Sequence, residues 1–435
     1  MERNLKMNPV QKFIKAESSS GVLLFASTIL ALVLANSPLR EWYDALWQFE
    51  IGIKSDSFKL VKPLILWIND GLMAIFFFVI GLEVKRELVI GELNSLKKSS
   101  LPIFAAIGGM VVPMLLYMFL NENPETAGGW GIPMATDIAF SLAVLTLLGK
   151  RVPIGLKIFL TAFAIIDDIG AVLVIALFYT GNIAWNLLFI AGLLLLLLYV
   201  LSARKQYNKY LLLLVGAAIW VLFLKAGIHP TIAGVLLAFA VPVNQKINEF
   251  TFAEKLKEIV SHITRDKNTT KLPVLSHHQI EAIDDLEDWT AKVQSPLQHL
   301  EHRLHGWVAF FIMPVFAFSN AGVSFTEGMN FELPLVSSIA IALFVGKVLG
   351  VSLFSLAAIK LKLADLPKRV NFMQVFGVAL LSGLGFTMSL FIANLAFADS
   401  SLYLDSSKIG IIIGSLAAGI TAYVVLKFAL PKADK

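Results

Sequence analysis

Asp167 and Asp168 stand side by side in the apolar stretch TAFAIIDDIGAVLVIALF. Adjacent residues on a helix point about 100° apart, so one carboxylate can face a water-filled space while the other meets a packed helix. Lys347, in IALFVGKVLGVSLF, is the only cation inside such a run and the expected partner of one of the two. Asp137 follows Thr136 in PMATDIAFSLAVL, and Asp70 lies in LWINDGLMAIFFFVIG. On insertion scales each charge at a bilayer centre costs about 2.5–3.5 kcal/mol, on the order of 12–18 kcal/mol for all five. A whole fold is stable by only roughly 5–15 kcal/mol. These groups must therefore be paired, protonated or hydrated. A desolvated carboxylate beside another favours its protonated form, and its oxygens also suit a small hard cation. A proton and an alkali cation competing for one site, open to one side at a time, would be exchanged obligatorily. Thr136 can add an oxygen beside Asp137. Plainer readings stand beside these. Asp167, Asp168 and Lys347 could form a structural ion pair, and Asp137 could cap a helix after a break. Asp70, between Asn69 and Gly71, could be a turn or cap residue as well as a supporting transport residue. His229, in GIHPT, fits a satisfied helix-end histidine as well as a pH-responsive group.

The surroundings read as membrane spans. The 435 residues are 57% hydrophobic and 15% charged, with a mean hydropathy of +0.75, which is the composition of an all-α polytopic membrane protein. With no cysteine, disulfides, thiolate metal sites and cysteine nucleophiles are excluded. Apolar runs that can span a bilayer are placed at 19–37, 63–84, 101–120, 130–149, 154–178, 183–201, 210–226, 229–242, 307–323, 335–358, 372–396 and 408–428. Of 36 Lys and Arg, 29 then fall on the N-terminal side, six opposite, and Lys347 within a span. By the positive-inside rule both termini are cytoplasmic. The +5 net charge is thus a topology signal, which argues against a nucleic-acid partner. The first run follows four basic residues and ends ALVLANS, yet it is longer than a signal core and reads as a retained span. The fourth run carries GGWGIP before Thr136, and the eleventh carries SGLGFT at Ser382–Thr387. Paired interrupted helices in two halves point to inverted repeats whose broken helices cross at a transport site.

Outside the spans, QFEIGIKSDSFKLVKP alternates around Ser55-Asp56 and predicts a hairpin over residues 48–62. Its open edges could pair with a second copy. The inside segment 243–306 is the one sizeable loop. Phe252, Leu256, Val260 and Ile263, then Ile280, Ile283, Leu286 and Val293, predict two amphipathic helices. The polar turn RDKNTTKLP separates them, and they lie on the membrane surface or on the protein body. His299, His302 and His305 share one helical side. With Glu301 and the acids Glu281, Asp284, Asp285, Glu287 and Asp288 they could sense pH; a zinc site or a plain solvated helix are the other readings.

NDGLMAIFFFVIGLEVKREL, GIPMATDIAFSLAVL, FLTAFAIIDDIGAV, GIHPTIAGV, LEHRLHGWVAFFIMPVFAFSNAGV and GLGFTMSLFIANLAF closely resemble the NhaA-type sodium/proton antiporters, in order along nearly the whole chain. That family is itself a type case of inverted-repeat transporters. The resemblance implies a single transporter domain over 1–435 with twelve helices, in the bacterial inner membrane. It implies a homodimer through the periplasmic hairpin and electrogenic, pH-regulated exchange of Na⁺ or Li⁺ for H⁺. It implies that Asp167 and Asp168 carry cation and proton, that Lys347 pairs with the first, and that Asp137 with Thr136 sits at the helix crossing. It places Glu83, Glu87, Glu301, His302 and His305 in a cytoplasmic pH-response region. The chain departs from the family pattern at Gly306 and at Val348, where Pro is expected, at Arg303, and in the length of 243–306. These departures bear on pH response and leave the exchange chemistry alone.

Rival classes fare worse. An intramembrane aspartyl protease also uses two buried aspartates, but carries GxGD where this chain has GLGF, and an adjacent pair on one helix cannot converge on a scissile bond. A sodium-coupled organic solute symporter of similar fold remains the alternative, although no extra set of polar residues marks a solute pocket. An ion-pair constellation suits binding and exchange better than a channel. No cofactor is expected beyond the transported Na⁺, Li⁺ and H⁺, with lipid as the surrounding partner.

Overall fold

Long apolar runs with few interior breakers fold almost wholly as helix. The computed structural model describes residues 9–55, 58–181, 183–204, 206–245, 247–265, 276–325 and 331–431. The chain opens with α1 (Pro9–Ala35) and α2 (Arg40–Gln48), bent by 113° where they meet. Then come the antiparallel strands β1 (Glu50–Ser55) and β2 (Phe58–Pro63), with Ile51 facing Lys62. α3 (Leu64–Val89) and α4 (Leu96–Leu120) follow. A 3-10 stretch, Pro124–Met134, leads into α5 (Ile138–Leu147). α6 (Ile154–Phe178), α7 (Trp185–Ala203), α8 (Lys209–Ala226) and α9 (Thr231–Ala240) complete the first part. α10 (Glu249–Arg265), α11 (His277–Val293), α12 (Pro296–Trp307) and α13 (Met313–Asn320) come next. α14 (Leu333–Lys360), α15 (Phe372–Leu381), α16 (Phe386–Ala396) and α17 (Ser401–Ala429) end the chain.

Among the described residues seven helices are long and apolar enough to cross a membrane, or ten if each of three bent pairs is one span. The chain is a multi-pass helical membrane protein. The two other expected runs are the ten-residue α9 and the run at 307–323, which holds a π turn, Val308–Ile312, ahead of α13. Large side chains such as Phe428, 83% exposed, and Leu213, 71% exposed, lie on outer faces where hydrocarbon rather than water is the neighbour.

Two bent pairs carry the expected breaks. Pro124–Met134 meets α5 at 48°, and α15 meets α16 at 43°. Pro124, Pro133 and three glycines keep the first arm out of the α form. α14 packs on α4 at very close range, since a Cβ on Gly350 would sit 2.0 Å from the Gly108 carbonyl oxygen. Small residues permit such backbone approach between spans. A π turn, Ala342–Gly346, precedes Lys347 directly, a distortion common at functional positions.

Three expectations change. Segment 243–306 forms three helices rather than two, because Ser295 starts α12 by accepting the Gln298 amide at 3.1 Å. In α10 Ile259 is buried and Val260 exposed, and in α11 Ala282 is buried while Ile280 and Ile283 are exposed. These two helices pack on each other, so the pairing selects a different stripe. Asp70 is no turn or cap residue: it lies buried inside a π-helical turn, Trp67–Leu72. Asp56 of the hairpin turn, most of RDKNTTKLP and the first basic residues lie outside the described residues.

Candidate functional site

The two breaks are bonded to each other. The Asp137 amide donates to the Leu384 carbonyl at 2.5 Å, and the Asp137 side chain caps two helices at once. Its Oδ1 accepts the Phe140 amide of α5 at 3.1 Å. Its Oδ2 accepts the Thr387 amide of α16 at 3.1 Å and the Thr387 hydroxyl at 2.5 Å. One carboxylate thus meets the positive ends of two helix dipoles. The carbonyl ends of the opposite arms are also met: Thr136 Oγ1 donates to the Ser382 carbonyl at 3.0 Å and Ser389 Oγ to the Ile132 carbonyl at 2.8 Å.

Lys347 closes this arrangement. Its Nζ donates to Thr136 Oγ1 at 2.9 Å and to both carboxylate oxygens of Asp167, at 2.9 and 3.1 Å. Lys347 is 0% and Asp167 1% exposed, so each charge depends on the other. The α6 helix turns Asp168 elsewhere. Asp168 lines a cavity of about 40 Å³ together with Thr136, Asp137, Thr387, Glu83 and His305. Asp167 is not part of that lining. Among the described residues no donor reaches the Asp168 carboxylate. A single water needs roughly 10–15 Å³ on the same measure, so the cavity admits a few waters or one partly hydrated small cation. Of the two expected carriers, Asp168 lines the cavity and Asp167 is held by Lys347. Among the described residues no group of three or more His, Asp or Glu is placed to hold a metal ion, whereas Na⁺ can use mixed hydroxyl, carboxylate and water oxygens.

Of the carried-over pH-response residues, three gather around Arg86. Its guanidinium lies 2.9 Å from Glu87, 2.9 Å from Glu301 and 3.8 Å from Glu83. Burial pushes the Glu301 carboxyl above the usual carboxylate range, and Arg86 pulls in the opposite direction. Glu83 and His305 reach the cavity itself, while His302 is exposed. The acids Glu281, Asp284, Asp285, Glu287 and Asp288 are all exposed on α11 and line no part of the cavity.

Asp70 and His229 form a separate group. The Asp70 carboxylate takes Lys62 Nζ at 2.7 Å, and His229 Nε2 lies 3.5 Å away. His229 Nδ1 is 2.7 Å from the Thr231 hydroxyl, so the histidine is satisfied at the start of α9. Neither residue lines the Asp168 cavity. Sequence reading missed Thr387, Arg86 and Lys62. Thr387 stood inside the quoted SGLGFT motif, and Arg86 between two quoted glutamates; Lys62 counted only as a topology charge.

The chain matches a family model described as Na⁺/H⁺ antiporter 1 over residues 11–426. A protein of Bacteroides fragilis named Na(+)/H(+) antiporter NhaA is 45% identical over 435 residues, covering 98% of this chain and 99% of that relative. A protein of the same name from Oleidesulfovibrio alaskensis is 47% identical, covering 97% and 94%. One from Proteus mirabilis is 43% identical, covering 97% of each.

Proposed function

We propose, for a chain that belongs to the Na⁺/H⁺ antiporter 1 family and exchanges Na⁺ for H⁺, that both ions occupy Asp168 in turn. The observation that carries this is the division of the pair: Asp168 lines the cavity while Asp167 is held by Lys347. A proton neutralises the Asp168 carboxylate. Na⁺ or Li⁺ replaces it on the carboxylate oxygens, with Thr136 and water as further ligands. Both states leave the buried charge compensated, and the bare carboxylate is the costly one. Electrogenic exchange needs a second proton per Na⁺, and the Lys347–Asp167 pair supplies it, the Lys347 ammonium giving up its proton as Na⁺ binds and regaining one on the return. Asp137 and Thr136 hold the broken helices where they cross. An organic solute would need a pocket of roughly 300–1,000 Å³, far beyond the 40 Å³ beside Asp168, and the relatives' names favour exchange over symport.

We read the chain as one domain of twelve spans in inverted repeats, in the bacterial inner membrane with both termini cytoplasmic, and not as an enzyme. The Lys and Arg distribution supports that orientation. Asp70 supports the fold around Lys62 and His229. Glu83, Glu87, Glu301, His302 and His305 tune the response to pH, supported by the Arg86 cluster and by His305 at the cavity. The β1–β2 hairpin joins two copies into a homodimer.

The test is exchange in proteoliposomes carrying an inward-acid gradient and a pH probe, with Na⁺, Li⁺ or K⁺ added outside at several pH values. Alkalinisation by Na⁺ or Li⁺ is expected, with Asp168→Asn at background. Full exchange by a well-folded Asp168→Asn protein would overturn the assignment.

A further inference from the structure

A second, larger cleft of about 580 Å³ lies between α1, α5 and α17. It shares no lining residue with the Asp168 cavity. Its walls are almost wholly apolar, and its outer rim is open: Val22, Leu147 and Ile420 are 65%, 74% and 65% exposed. Its floor reaches the breaks, at Leu384 and Phe386. Water finds too few polar partners in such a space, and an empty cleft forfeits packing contacts. The rim lies on membrane-spanning elements, so the neighbouring medium is hydrocarbon.

One end of the cleft carries charge. Tyr423 lines it, and Lys427 Nζ lies 5.9 Å from the Tyr423 ring centroid. Lys427 is exposed, and among the described residues no carboxylate pairs with it. The Arg151 guanidinium sits at the same helix end, where Nε donates to the Pro431 carbonyl and Nη2 to the Lys427 and Leu430 carbonyls, which leaves Nη1 for an anion. We propose that this cleft holds one acyl chain of an anionic phospholipid whose phosphate meets Lys427 and Arg151. The inference rests on the multi-pass reading with the end of α17 at the cytoplasmic surface. The chain of the lipid packs against Leu384, whose carbonyl takes the Asp137 amide, and against Phe386, next to Thr387, so the occupant supports the outer wall of the breaks.

The absence of cysteine allows a single reporter. A fluorophore on Leu416→Cys, inside the cleft, is read in vesicles of phosphatidylcholine doped with brominated phosphatidylglycerol or brominated phosphatidylcholine. A basic residue near a membrane surface favours an anionic lipid by about fivefold, so quenching by the brominated phosphatidylglycerol is expected at about one-fifth the mole fraction. Lys427→Glu should abolish that preference, and a control label at Leu196→Cys on the outer face of α7 should show none. Equal quenching by both lipids at Leu416, an unchanged preference in Lys427→Glu, or the same preference at Leu196 would each overturn the proposal. Na⁺/H⁺ exchange measured in the same vesicles is a separate readout. Exchange without lipid preference defeats the lipid site alone, and loss of exchange by folded unlabelled protein defeats the antiport reading.

Discussion

Lys347 holds its ammonium within 2.9 Å of Asp167 and of Thr136 with no access to solvent. A charge in that position is tolerable only with its counter-charge in place. Removing one member of a buried ion pair costs about 3–5 kcal/mol, whereas replacing both by neutral groups of similar size is often close to neutral. Lys347→Ala should therefore lower the thermal unfolding midpoint of the detergent-solubilised protein clearly, and the double variant Lys347→Met with Asp167→Asn should recover most of the loss. If the single variant melts like the wild type, Lys347 is not holding a buried charge. That Asp167, Asp168 and Lys347 need partners or a cavity was legible in sequence because each is costly in an apolar run. Which aspartate takes the lysine came only from the family resemblance, which named Asp167, because residue spacing does not give the rotation of α6 about its axis. Packing of α6 against α4 and α3 sets it.

At the scale of elements, glycine and proline punctuation exposed both breaks, and hydroxyl chemistry hid their partners. Thr387 donates to Asp137 through both its amide and its hydroxyl, but threonine is common in spans and nothing in its spacing sets it apart. The α3–α12 contact was hidden from residue spacing and carried only by the family resemblance, because Glu301 and Arg86 are far apart in the chain and bonded at 2.9 Å. Burial makes Glu301 harder to ionise in the folded protein, with Arg86 opposing. A raised folded-state value means that the folded protein keeps this proton to higher pH than the unfolded chain. The resulting stability is complete below the ordinary carboxylate range and disappears as pH rises through the folded value. Glu301→Gln removes the titration while Glu87 still holds Arg86. Its unfolding midpoint should then fall less than the wild type's as pH rises through that window. A steeper fall in the variant would show that the Arg86 pair outweighs burial.

For the whole molecule the hairpin, among the described residues, packs chiefly on itself. Ile53 is 69% and Ile51 45% exposed, apolar surface on a short two-stranded sheet that would be marginal alone. The base is tied down, with the Leu64 amide on the Phe49 carbonyl at 2.9 Å and Trp67 Nε1 on the Ile51 carbonyl at 2.8 Å. The exposed strand edges can therefore meet a second copy without disturbing α3, and they offer a template for strand pairing. Ile51 and Lys62 face each other, so residues 52–61 can be replaced by Asn-Gly as a two-residue turn. With the hairpin as the proposed interface, the shortened protein should elute at about half the mass of the full chain at the same concentration, with mass read by light scattering after subtraction of detergent. Its exchange in proteoliposomes should persist, since Asp168 and its cavity draw no residue from the hairpin. A shortened protein of unchanged dimeric mass would move the interface to the outer faces of the helices.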